Sequence, residues 1–175
     1  MKSLVFVIDM VNGFVDRGAM SDSKIATITP NIKEQIEHAN GVHFICDNHD
    51  KDDLEMKVYP PHCLANTEEC KVVNALREFA DFKNTTFKKS TNGFFNLDKK
   101  LLENYDEFVI TGCCTDICVL QFALSLRAYL NEKNMDKDVI VPKSCVETFD
   151  APNHERAYYN EIAFNLMRNA GIAVI

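Results

Sequence analysis

Long basic runs are missing from this chain. Apart from the pairs Lys88–Lys89 and Lys99–Lys100, no lysine or arginine has a basic neighbour. With 26 acidic against 19 basic residues the formal net charge is -7. Neither nucleic acid nor an anionic membrane is therefore an expected partner, since both call for a basic footprint. A long apolar run is missing too. The opening MKSLVFVIDM reaches Asp9 after the short run Leu4 to Ile8, too brief for a signal-peptide core or a bilayer span. The expectation is a cytoplasmic protein. The seven cysteines form no repeated C-x-x-C pair, and their odd number argues for free thiols in a reducing compartment. No repeat, low-complexity tract or linker divides the sequence, so residues 1–175 are expected to form one domain. A chain of this length buries about 70% of the surface its unfolded form exposes, and needs no metal or disulfide merely to hold together.

What is present is an alternation of strand-like and helix-like stretches. Leu4 to Ile8 and Val42 to Cys46 read as buried strands, with a third within Asn84 to Lys88. Phe108 to Thr111, Val139 to Val141 and Ile172 to Ile175 complete six. Between them, Thr29 and Pro30 open a helix with the stripe Ile32, Ile36 and Ala39. Asn66 and Glu69 read as a capping pair ahead of Val72, Val73, Leu76 and Phe79 at helical spacing. A short helix is expected near Leu97 to Leu102, and longer ones from about Asp116 to Leu130 and Asn153 to Arg168. The pattern predicts an α/β fold: a doubly wound domain with a parallel sheet of about six strands and helices on both faces. In such sheets ligands gather beyond the carboxyl ends of the strands. Asp9, the polar stretch 47–62 and Cys118 all fall there.

Each of these has two readings. In ITGCCTDICV, Cys118 stands where a buried strand breaks into a helix, and N–H groups of a first helical turn favour a thiolate. Cysteine is also among the most buried residue types, and a thiol beside an apolar helix is more often core. Asp9 closes an apolar run, where desolvation would raise its pKa and suit it to proton transfer; a loop-opening aspartate bonded to nearby N–H groups looks the same. Of Lys88 and Lys89, strand alternation turns one inward and one to solvent. The loop DNHDKDDLEMKVYPPHC offers Asp47, His49, Glu55 and His62, a donor set that suits zinc, iron or manganese. Its remaining acids, Asp50, Asp52 and Asp53, read as a solvated turn.

Taken together, IDMVNGF, DNHD followed by PPHC, FKKSTNGF and GCCTDICV stand in the order and spacing of the isochorismatase-like cysteine hydrolases. Over Val5 to about His154 the chain most resembles their nicotinamidase branch. The resemblance implies a six-stranded parallel sheet, a catalytic aspartate at Asp9 and a nucleophile at Cys118 in G-x-x-T-x-x-C-V. It implies the catalytic lysine at Lys89, counted five residues before Phe94. It further implies a cis peptide joining Cys113 to Cys114, and an oxyanion hole from the N–H groups of Cys114 and Cys118. A divalent metal, zinc with iron or manganese as alternatives, would be held by Asp47, His49 and His62, with Glu55 as a further acidic position. Phe14 and Tyr59 correspond to the aromatics that sandwich the substrate ring. The family's opening motif is altered at Val11 and Gly13, and its lysine motif at Asn92 and Gly93.

The activity so implied is hydrolysis of a small amide, nicotinamide to nicotinate and ammonia through a thioester, a step of NAD salvage. Copies of such a domain are expected to pair through exposed apolar faces. The alternative within the same chemistry is a metal-independent amidase or carbamoyl-amide hydrolase. From another class, a non-catalytic thiol or metal sensor would bind zinc through His49, His62 and Cys63 and release no ammonia.

Overall fold

The computed structural model describes residues 1–175, whose seven strands form one all-parallel sheet. The strands are β1 (Ser3–Ile8), β2 (Gly41–Asp47), β3 (Thr85–Lys88), β4 (Glu107–Cys113), β5 (Asp138–Val141), β6 (Val146–Glu147) and β7 (Ala173–Val174). Their order is β3-β2-β1-β4-β5-β7. The chain thus winds outward from β1 in both directions, and the reversal lies between β1 and β4. Strand β6 goes beyond the six expected. It pairs with Gly112 and Cys113, whereas β5 pairs with Glu107 to Val109, so the two line successive parts of one edge of β4. Pro142, which has no N–H to donate, separates them.

Alternation along each strand divides the apolar residues between two cores. Leu4, Phe6 and Ile8 of β1 face Phe122, Leu126, Phe164 and Met167, whereas Val5 and Val7 face Ile32 and Ile36. The helices are α1 (Asn12–Val15), α2 (Thr29–His38), α3 (Leu120–Glu132) and α4 (Arg156–Asn169). Layers on both faces give the doubly wound arrangement that the alternation predicts.

One expected helix does not form. The segment from Asn66 to Val73 is irregular, and only Asn74–Phe79 makes a 3-10 turn. Its backbone is committed elsewhere: Glu69 and Lys71 carbonyls accept from Gly13 and Asn12 at 2.9 Å each, and Val72 bridges Val11. The Glu69 carboxylate, cast as a helix cap, instead accepts from the Cys63 N–H at 2.9 Å. Asn66 lies at φ 63, in the left-handed region. This segment therefore braces the loop that follows β1. The stretch expected as a helix near Leu97 is likewise a 3-10 turn, Lys99–Asn104.

The carboxyl end of β4 is built for close approach. Gly112 has φ 110, and a Cβ there would lie 1.9 Å from the Ile8 carbonyl oxygen. Only glycine lets β4 lie this close to the end of β1. Past it, Thr115–Val119 forms a wide π turn, with the Val119 N–H reaching back to the Cys114 carbonyl at 3.1 Å, before α3 begins.

Candidate active site

Asp9, Asp47 and Lys88 stand at or just past the carboxyl ends of β1, β2 and β3, and Cys118 lies in the turn that follows β4. All four are buried. Asp9 adopts φ 52, and its Oδ1 accepts from the Asp47 N–H at 3.0 Å. Its Oδ2 is buried 2.9 Å from Lys88 Nζ without an aligned hydrogen bond in the structure. Lys88 also binds Asp47 Oδ1, and its Nζ stands 3.9 Å from Cys118 Sγ. One ammonium thus joins two carboxylates and a thiol.

The lysine brought into the site is Lys88, which corrects the expectation of Lys89. Lys88 is 1% exposed, while Lys89 lies on the surface and pairs with Asp50 and Asp53. The register explains the exchange. Lys88 pairs with Asp47 across β2 and β3, and alternation sends Phe87 outward and Lys88 inward. Counting back from Phe94 fails because the pairing of β3 with β2, not distance along the loop, decides which lysine turns inward.

Electrostatics follow from burial and from this shared charge. Desolvation, together with the Asp47 charge, pushes Asp9 up to about 7, against the pull of Lys88 and a hydrogen bond from Cys118. Burial alone would raise Asp47 as well, but Lys88 and the two histidines hold it far below the usual carboxylate range. Lys88 is carried well above its ordinary value by Asp47 and Asp9, which outweigh its desolvation. Burial pushes the Cys118 thiol well up, and Lys88 offsets this only in part. The thiolate expected from the helix terminus is therefore not the resting form. Cys118 rests as a thiol that needs a base, and Asp9 is within reach as that base.

Beside this group, one ligand atom each from Asp47, His49, Glu55 and His62 lies within 4.8 Å of the others. His49 Nε2 is 3.2 Å from Glu55 Oε2 and 3.6 Å from Asp47 Oδ2, and His62 Nε2 is 3.4 Å from Asp47 Oδ2. Although so near two oxygens, His49 Nε2 is buried without an aligned hydrogen bond. A buried nitrogen close to two carboxylates yet bonded to neither is what a metal ligand presents. Burial opposes charging His49, yet Asp47 and Glu55 pull it up to about 10. Such a concentration of lone pairs suits a divalent cation with nitrogen and oxygen donors. The donor set fits the metal that the resemblance implies.

A cavity of about 660 Å³ opens over both groups, with Cys118, Asp47, Glu55 and His62 in its floor and walls. Phe14, Tyr59 and Ile117 line it, as do Phe149 and Thr91, which no local pattern singles out. Phe149 is held by stacking on His154 at 3.9 Å, and the Thr91 N–H donates to Glu55 Oε1 at 2.9 Å. Cys114 lines the same cavity, and the peptide joining it to Cys113 is cis. Asp53, read as solvated turn, instead accepts from the Asp50 N–H and contacts His49.

Comparison with known proteins places this geometry. The family model for the isochorismatase domain matches residues 3–174. The chain belongs to the isochorismatase family. Among its isochorismatase-family relatives, Nicotinamidase 1 of Arabidopsis thaliana is 30% identical over 174 residues, 85% of this chain and 70% of the relative. The crystal structure of nicotinamidase PncA from Bacillus subtilis superposes with a TM-score of 0.78 at 27% identity, covering 99% of each chain. Pyrazinamidase of Pyrococcus horikoshii, in complex with zinc, has the same fold, with a TM-score of 0.78 at 22% identity over 100% of this chain and 99% of its own. With its nicotinamidase relative of 30% identity the chain shares the hydrolysis of amide C–N bonds.

Proposed function

We propose that this isochorismatase-family hydrolase converts nicotinamide to nicotinate and ammonia, with Cys118 as nucleophile, Asp9 as proton carrier and Lys88 as their charge partner. One observation carries the reading: Cys118 opens into the same aromatic-walled cavity as Asp47, Glu55 and His62, with His49 buried beside those three and Asp9 and Lys88 behind the thiol. Asp9 takes the thiol proton as the sulfur attacks the amide carbonyl, and the N–H groups of Cys114 and Cys118 receive the developing oxyanion. Protonated Asp9 then gives that proton to the departing nitrogen; ammonia leaves and a thioester remains. Asp9 next removes a proton from water as it adds to the thioester, and collapse releases the carboxylic acid and restores the thiol. An aspartate near pKa 7 suits both directions of transfer at neutral pH. Lys88 keeps the ionised carboxylate and the forming thiolate tolerable in a buried site.

Phe14 and Tyr59 would flank the ring, with Phe149 as a further wall. A divalent cation held by Asp47, His49, Glu55 and His62, zinc in this reading, would supply a Lewis-acid contact that anchors the ring nitrogen. The same reading assigns the reaction to NAD salvage in the cytoplasm, which seven free thiols suit, and includes pairing of two copies.

The test is ammonia release from nicotinamide, pyrazinamide and a carbamoyl amide by the wild type and by Cys118→Ala, before and after treatment with a chelator. Nicotinamide turnover that the substitution abolishes and the chelator suppresses is expected. Turnover surviving in Cys118→Ala would overturn the nucleophile. Activity indifferent to chelation would select the metal-independent amidase instead.

A further inference from the structure

The outward-facing nitrogens of the two histidines carry contacts that the reaction above does not use. His62 Nδ1 meets the Pro60 carbonyl at 2.8 Å, and His49 Nδ1 meets Asp53 Oδ2 at 3.2 Å. We infer that Asp53 is a positioning residue for metal binding, which acts by orienting His49 and making its inward nitrogen a stronger donor. The inference rests on the metal reading given under Proposed function.

Three observations carry it. His49 is fully buried, and the carboxylate of Asp53 is the acceptor beside its Nδ1. With Nδ1–H donating outward, a cation that displaces the Nε2 proton meets the tautomer whose Nε2 lone pair faces Asp47 and Glu55, where that atom lacks an aligned partner. The carboxylate is also fixed in place. Oδ2 accepts from the Asp50 N–H at 2.8 Å, and Oδ1 lies 3.2 Å from Lys89 Nζ. A carboxylate behind a ligating imidazole raises its basicity more than a neutral carbonyl does, so His49 and His62 are unequal donors.

The rival role for Asp53 is closure of the turn 50–53 alone. Asp53→Asn separates the two, because its side-chain carbonyl can keep the bond from the Asp50 N–H while the negative charge behind His49 is gone. The measurement is the zinc dissociation constant of the intact chain, by competition with a chromogenic chelator, alongside the melting temperature of the metal-free protein. Wild type should bind zinc, Asp53→Asn about tenfold more weakly and Asp53→Ala about 10- to 100-fold more weakly. The melting temperature of metal-free Asp53→Asn should match wild type. Wild-type affinity in Asp53→Asn would overturn the inference and leave the metal site standing. A wild type that takes up no divalent cation would instead remove the metal reading itself, and the inference with it.

Discussion

The ammonium of Lys88 lies between Asp9 and Asp47 with no access to water, whereas that of Lys89 meets Asp50 and Asp53 in solvent. The two side chains therefore answer differently to the same substitution. Lys88→Met leaves two buried carboxylates without their counter-charge, and should lower kcat/KM by roughly 10²- to 10⁴-fold and stability by about 3–5 kcal/mol. Lys89→Met removes only solvent-screened pairs with Asp50 and Asp53 and should retain both stability and turnover. Steady-state kinetics and urea denaturation of both variants check this; loss of turnover in Lys89→Met would restore the motif-based assignment. Asp9 was visible in the sequence as the abrupt end of the apolar run Leu4 to Ile8, and Cys118 as a thiol where a buried strand breaks into a helix. The lysine was not. Its choice depends on strand parity, and parity is set by the pairing of Asp47 with Lys88, which a linear motif does not contain. Asp53 was hidden for a related reason, since nothing local separates a carboxylate behind a histidine from one in a solvated turn.

Among the elements, the junction of β1 and β4 is the least forgiving. Gly112→Ala would need both a left-handed alanine and relief of a 1.9 Å approach to a backbone oxygen. The expected loss is more than about 3 kcal/mol, read as a lower urea midpoint, with activity falling as the Cys118 turn shifts. A midpoint within error of wild type would show that the two strands can part at no cost. Strands and the helices α3 and α4 were readable because their apolar periods had a single use. The period of Val72, Val73, Leu76 and Phe79 did not distinguish a helix from an irregular brace, and its partners, Met10 to Gly13, lie some sixty residues earlier. Strand β6 is two residues long and has no period to read.

For the molecule as a whole, pH acts through buried groups of opposite sense. Burial lowers His43 from 6.5 to about 4, beside Thr86 and Phe6. The unfolded chain therefore binds that proton first, and the stabilisation from a neutral His43 is complete above pH 6.5 and lost as pH falls toward 4. At most it amounts to about 3 kcal/mol. Asp9 runs the other way: its folded value of about 7 lies above 3.8, so its ionisation costs stability as pH rises between those values. The two trends offset in wild type. A comparison with His43→Gln at matched pH isolates the first, and the stability of wild type relative to the variant should shrink steadily from pH 7 to pH 4. A constant difference would contradict the assignment.

Asp47 belongs to both halves of the site, for its Oδ1 holds Lys88 and its Oδ2 faces His49 and His62. Mutational routes out of metal dependence are consequently ordered. A lineage of this chain could give up either histidine and keep its nucleophile in working order, but discarding Asp47 first would strip the buried lysine of a counter-ion and disable both halves in a single step.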